Sequence, residues 1–158
     1  MRVTPAFPLI EEPGAWDALT LLAGTVFLEA EGEPWEGILG VVWVIRRRAI
    51  DWKQGWHGAI LGSDQQAYGD NRPFEPFSAW GDDYRVQARA RLSAVADASP
   101  FWKAAAAGLW ELLPDPVDEA TFYLNEVVTK RIRGGSLPDW FKEERVTKRI
   151  GRHTFVRA

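Results

Sequence analysis

Apolar side chains recur at spacings of three and four between Pro13 and Ala30: Trp16, Leu19, Ala23, Val26, Phe27 and Ala30. That spacing predicts an amphipathic helix, with Pro13 in its first turn, where a missing N–H does no harm. Gly32 supplies a stop, and Pro34 opens a second helix directly after Glu33. The second helix carries Ile38, Leu39, Val41, Val42, Trp43, Val44 and Ile45. Being apolar nearly all round, it is predicted to be the central buried helix. It closes on Arg46, Arg47 and Arg48, the charge that complements a helix C-terminus.

Residues 51–81 are rich in Gly, Asp, Asn, Pro and aromatics and show no sustained period, so they are expected to form a long functional loop. Helical character returns from Asp82 to Ala98, through Val86, Ala90, Leu92, Val95 and Ala96. Pro100 starts a further helix through Trp102, Ala106, Leu109, Trp110 and Leu113, halted by Pro114 and Pro116. Residues 120–128, ATFYLNEVV, have strand composition; a loop with Gly134, Gly135 and Pro138 follows, and GRHTFVRA ends in a short strand. Helices first and a little sheet later predict a mostly helical α+β fold. Residues 1–12, with two prolines and no period, read as an N-terminal arm, leaving 13–158 as one domain without repeats or linker.

At 158 residues, 46% hydrophobic and 26% charged, the chain suits one globular core. No apolar run approaches the roughly 18 residues of a membrane span, so no membrane insertion is expected. The N-terminus lacks a basic start followed by an apolar stretch, which predicts synthesis in the cytoplasm without a secretory signal. The absence of cysteine excludes disulfides, thiol nucleophiles and Cys-based metal sites. With only His57 and His153, no metal or cofactor is expected. A net charge of −3, with dispersed basic residues, gives no pull toward nucleic acid. The nine tryptophans fit two readings: the codon bias of a GC-rich genome, or a groove of flat aromatic faces suited to sugars.

The candidate chemistry lies in Glu29-Ala30-Glu31-Gly32-Glu33. On a helical wheel Glu29 falls at the flank of the apolar stripe, beside Leu22 and Val26, where partial desolvation raises a carboxyl pKa. Glu29 and Glu31 also occupy the last turn of the first helix, at the negative end of its dipole. Burial, dipole and like charge together favour a carboxyl that keeps its proton, as a general acid must. The plain alternative is a solvated polar corner.

The motif resembles the opening of the SleB/CwlJ-type cell wall hydrolases, in which E-A-x-G-E-x-x-x-G leads into an apolar helix with a basic end. Here it reads Glu29 to Gly37. Phe77-Ser78-Ala79-Trp80 resembles the family's Q-F-S-A element, Ala120-Thr121-Phe122-Tyr123-Leu124-Asn125 its A-T-x-(F/Y)-x-N segment, and Ile150-Gly151-Arg152-His153-Thr154-Phe155 its terminal I-G-x-H-x-F. The chain departs from the pattern with Pro76 in place of Gln, Phe122 where His is frequent and Glu31 in place of Arg.

The resemblance implies a lysozyme-like domain over residues 13–158. It implies cleavage of peptidoglycan glycan strands between N-acetylmuramic acid and N-acetylglucosamine. It implies one catalytic glutamate, matched by Glu29, working as in a lytic transglycosylase. Ser78 and Tyr123 are the expected substrate-binding residues. Asp82 or Asp83 would be the second carboxylate if water were the nucleophile. The expected setting is a monomer acting on the bacterial wall after release, as an endolysin does. The alternatives are a lysozyme-type hydrolase of the same bond and a non-catalytic glycan-binding module on a decayed hydrolase scaffold. His153 is expected to be a packed, hydrogen-bonded residue rather than a catalyst. Trp35 and Trp80 remain open between core and sugar stacking.

Overall fold

The computed structural model describes residues 7–51, 53–62, 80 and 85–158. Among them are six α-helices and a three-stranded antiparallel sheet, so the chain is mostly helical and α+β. Helix α1 spans Ala18–Ala30 and α2 spans Trp35–Ile50; these two helices and the turn between them form the heart of the molecule. The first helix does not begin at Pro13. That proline sits in a 3₁₀ turn, Pro13–Ala15, and α1 is capped instead by Asp17, whose side chain accepts from the Thr20 N–H at 2.7 Å. A carboxylate cap satisfies an orphan donor of the first turn.

The expected roles of these helices are reversed. Every residue from Leu21 to Leu28 is buried, so α1 is enclosed on all sides rather than amphipathic. It is surrounded by α2, α3 (Gly55–Leu61), α4 (Arg85–Ala94) and α5 (Ser99–Leu109). Its one buried hydroxyl, Thr25, is satisfied twice, donating to the Leu21 carbonyl and accepting from Trp80 Nε1. Helix α2 is the more amphipathic, with Trp35 40% exposed and Trp43 half-buried. Trp80 belongs to the core, edge-on to Trp16 at 5.7 Å. Phe7 stacks between Trp16 and Trp102.

The region read as one loop from 51 to 81 contains α3, packed on α2. Its two turns are too short for a period to be legible. The strand expected over 120–128 is shorter: β1 spans only Phe122–Leu124, and α6 (Glu126–Ile132) follows. Asn125 decides the change, because its side chain accepts from the Val128 N–H and caps α6. The closing strand is β3 (His153–Val156), and its hairpin partner β2 (Val146–Ile150) was not expected. The order is β1-β3-β2, with Tyr123 opposite Phe155 and Ile150 opposite His153. All four residues of β3 are buried.

The arginines closing α2 do more than balance a dipole. Arg46 Nη1 donates to the Gly108 carbonyl, Arg47 to that of Ala120 while pairing with Asp115, and Arg48 Nε to that of Thr121. They fasten the connection between α5 and β1 to α2, and so fix where β1 begins. Among the described residues no helix is long and apolar enough to cross a membrane.

Candidate active site

Glu29 lies in the last turn of α1, and its carboxylate meets the sheet. The Tyr123 hydroxyl donates to Glu29 Oε2 at 2.9 Å across 94 residues of sequence. Two of the residues expected to take part in the chemistry are thus in contact. The third, Ser78, lies outside the described residues, as do Pro76, Asp82 and Asp83.

Burial pushes the Glu29 carboxyl pKa above its ordinary value of 4.5; the Tyr123 hydrogen bond and the charges of Arg48 and Arg91 oppose the shift. The same enclosure, and the Glu29 charge, push the Tyr123 phenol well above 10, so it remains a neutral donor. A half-buried carboxyl with a donor partner and, among the described residues, no cation hydrogen-bonded to it suits the work of a general acid.

Beside Glu29 opens a cleft of about 800 Å³, lined among others by Glu31, Glu33, Arg91, Asn125, Arg152 and His153. Glu31 pairs with Arg91 of α4 at 2.9 Å, which also donates to the Leu28 carbonyl. Glu33 is held far more tightly. Its side chain is 1% exposed, and its two oxygens accept from the Arg152 backbone N–H at 2.9 Å and from Arg152 Nε at 2.7 Å. Arg152 Nη2 reaches on to the Glu31 carbonyl. This clamp joins the α1–α2 turn to the β2–β3 hairpin.

Glycine makes the clamp possible at both ends. Gly32 takes the left-handed conformation (φ +82°) that turns the chain between the helices. Gly151 takes φ +57° at the hairpin tip, and a Cβ there would overlap Glu33 Oε2. Any side chain at 151 would therefore drive the hairpin off the carboxylate.

His153 begins β3 with its ring centroid 5.0 Å from that of Tyr123. It is packed, as expected, but its Nδ1 is buried without a hydrogen-bond partner. Burial holds its pKa below the ordinary 6.5; Arg152 adds to this and Glu33 opposes it. Among the described residues no group of three His, Cys, Asp or Glu side chains is gathered to hold a metal ion.

The expected residues Glu29 and Tyr123 meet at this cleft; Asn125 and Arg152, which also line it, were not singled out, Glu33 was expected only as a neighbouring like charge, and His153 only as a packed residue. Glu33 is visible in the sequence as a glutamate after the Gly32 stop, and Arg152 as part of the Ile150–Phe155 match. Their pairing spans 119 residues, so nothing local announces it.

The family model described as Cell Wall Hydrolase matches residues 32–156. The chain belongs to the cell wall hydrolase family. The match takes in Glu33, Tyr123, Arg152 and His153 and begins three residues after Glu29. No curated protein and no solved structure matches the chain. Membership makes it a peptidoglycan-acting hydrolase, and the cleft described above holds Glu29, Glu31 and Glu33 in its walls.

Proposed function

We propose that this cell wall hydrolase cleaves the bond between N-acetylmuramic acid and N-acetylglucosamine as a lytic transglycosylase, with Glu29 as its one catalytic carboxyl. The observation that carries the reading is the contrast among the cleft glutamates. Among the described residues Glu31 and Glu33 are each paired with an arginine, whereas Glu29 accepts only from a neutral phenol.

In the first half of the reaction Glu29 gives its proton to the glycosidic oxygen as the C1–O4 bond breaks. Tyr123 then steadies the carboxylate that remains, its phenol donating to Oε2. In the second half the muramyl 6-hydroxyl attacks C1, and Glu29 takes its proton. The new C1–O6 bond closes an anhydro ring, and the enzyme returns to its starting protonation state. Hydrolysis would need a second carboxylate to position water. An intramolecular hydroxyl, by contrast, is already held near C1 at high effective concentration.

The test is a digest of purified peptidoglycan by wild type and by Glu29→Gln. The reading expects fragments ending in muramic acid from wild type and none from the variant. Fragments ending in N-acetylglucosamine, or strands bound but never cut, would replace it with a different bond specificity or with a binding module.

A further inference from the structure

His153 stands at a junction. The cleft beside Glu29 and a second hollow of about 520 Å³ share Asn125, Val128, Arg152 and His153 in their walls. Only 8% of the residue is exposed, and its ring lies against Tyr123, the donor to Glu29. Buried polar groups in folded proteins are nearly always satisfied, yet Nδ1 has no partner. The Glu33 carboxylate, the nearby charge that favours protonation, is already taken by Arg152 through both oxygens.

A neutral imidazole carries one N–H. On Nδ1 that proton would be an orphaned buried donor, whereas an unpaired lone pair is tolerated more readily. The unpartnered Nδ1 therefore favours the tautomer with its proton on Nε2. In that form the ring is a donor set into the shared wall of two hollows, beside the catalytic acid.

We propose that His153 is a substrate-binding residue whose Nε2–H donates to an oxygen of an N-acetylated sugar, an acetamido carbonyl or a hydroxyl, bound across this junction. The proposal rests on the reading that the cleft takes glycan strands. It gives His153 a role in holding the sugar next to the cleaved bond, and no role in proton transfer.

The test uses the full chain carrying Glu29→Gln, so that strands bind uncut, with ¹⁵N-labelled histidine and purified uncrosslinked glycan strands as the probe. His57, whose Nε2 lies 2.6 Å from the Trp16 carbonyl oxygen, is the internal control. The free protein is expected to show His153 as the Nε2–H tautomer, and strands to shift its Nε2 signal while His57 stays still. Adding His153→Phe, which keeps a ring against Tyr123, is expected to weaken binding about three- to tenfold, the worth of one hydrogen bond. Adding His153→Gln, which keeps a side-chain donor, is expected to recover most of that loss. An Nδ1–H tautomer, a still Nε2 signal while strands shift other resonances, or unchanged affinity in the Phe variant would overturn the proposal and leave the cleft reading standing. Strands that bind nowhere would overturn both.

Discussion

Glu29 and Glu33 flank one turn, four residues apart, and the protein treats their burial in opposite ways. Glu29 receives one hydrogen bond from a phenol, and the positive charges of Arg48 and Arg91 only temper its desolvation. Glu33 has both oxygens filled by the backbone and guanidinium of Arg152, and almost no surface. A carboxyl buried without its own cation is inclined to keep a proton and can give it away. A carboxyl buried against a guanidinium is a strut, and removing its partner is what costs stability. The two carboxyls differ in partner more than in enclosure, and the proposed roles follow the partner.

The sharpest way to break this comparison is to neutralise each carboxyl in turn. Glu29→Gln is expected to lower the lytic rate by about 10³-fold or more, since in the proposed mechanism one group serves as both acid and base. Clearing of permeabilised cells measures it. More than a tenth of wild-type activity in that variant would remove Glu29 from the chemistry.

The strut is tested from its other end. Arg152→Ala leaves Glu33 buried with only a backbone donor and is expected to destabilise the fold by about 2–3 kcal/mol. That is less than a fully buried broken pair, because the Arg152 side chain is 63% exposed. Urea unfolding reads it, and Arg152→Lys should recover part of the loss. A change below about 0.5 kcal/mol would mean that the clamp holds nothing, since that is the usual range of surface substitutions.

Tyr123→Phe sharpens the acid side. The Tyr123 hydrogen bond lowers the Glu29 pKa, so its loss raises that pKa further. In the proposed mechanism activity needs protonated Glu29 and falls as pH rises through its pKa, so the alkaline limb should move to higher pH. The rate itself should fall by no more than about tenfold, the worth of one hydrogen bond. A limb that moves down would reverse the assigned role of the phenol.

The smallest expected effect is on stability against pH. Glu29 has a raised folded-state pKa, so its contribution is fully present below the unfolded value and is lost as pH rises through the folded one. Glu29→Gln escapes that loss. Its melting temperature should therefore exceed wild type at neutral pH, and the gap should close below about pH 4, under the ordinary glutamate pKa. A gap that persists there would trace to packing instead.

What could be read in the sequence was local. Gly32, Pro34 and the glutamates around them mark the α1–α2 corner within nine residues, and the ordered matches through Tyr123 and His153 point to the family. What escaped was of two kinds. Short elements carry too little pattern: α3 has seven residues, and β2 exposes Lys148 and Arg149 as an edge strand does. Val127 and Val128 read as strand because their apolar side chains suggested burial, whereas both are exposed on α6. The other kind is long-range pairing. Nothing near Glu33 announces Arg152, and nothing near His153 announces that Nδ1 goes unpartnered. The tryptophans divide: Trp16 and Trp80 are core, while Trp35, Trp110 and Trp140 keep exposed surface.

The central claim is that Glu29 works as a lone carboxyl, and product mass tests it most directly. Transglycosylation leaves anhydro-muramic ends, lighter by one water, about 18 Da, than reducing ends, because an intramolecular hydroxyl replaces water at C1. Mass spectrometry of a wild-type digest of purified peptidoglycan is expected to show the anhydro form from the earliest time points. Reducing ends alone, together with an Asp82→Asn or Asp83→Asn variant as inactive as Glu29→Gln, would contradict the account and make the enzyme a two-carboxylate hydrolase.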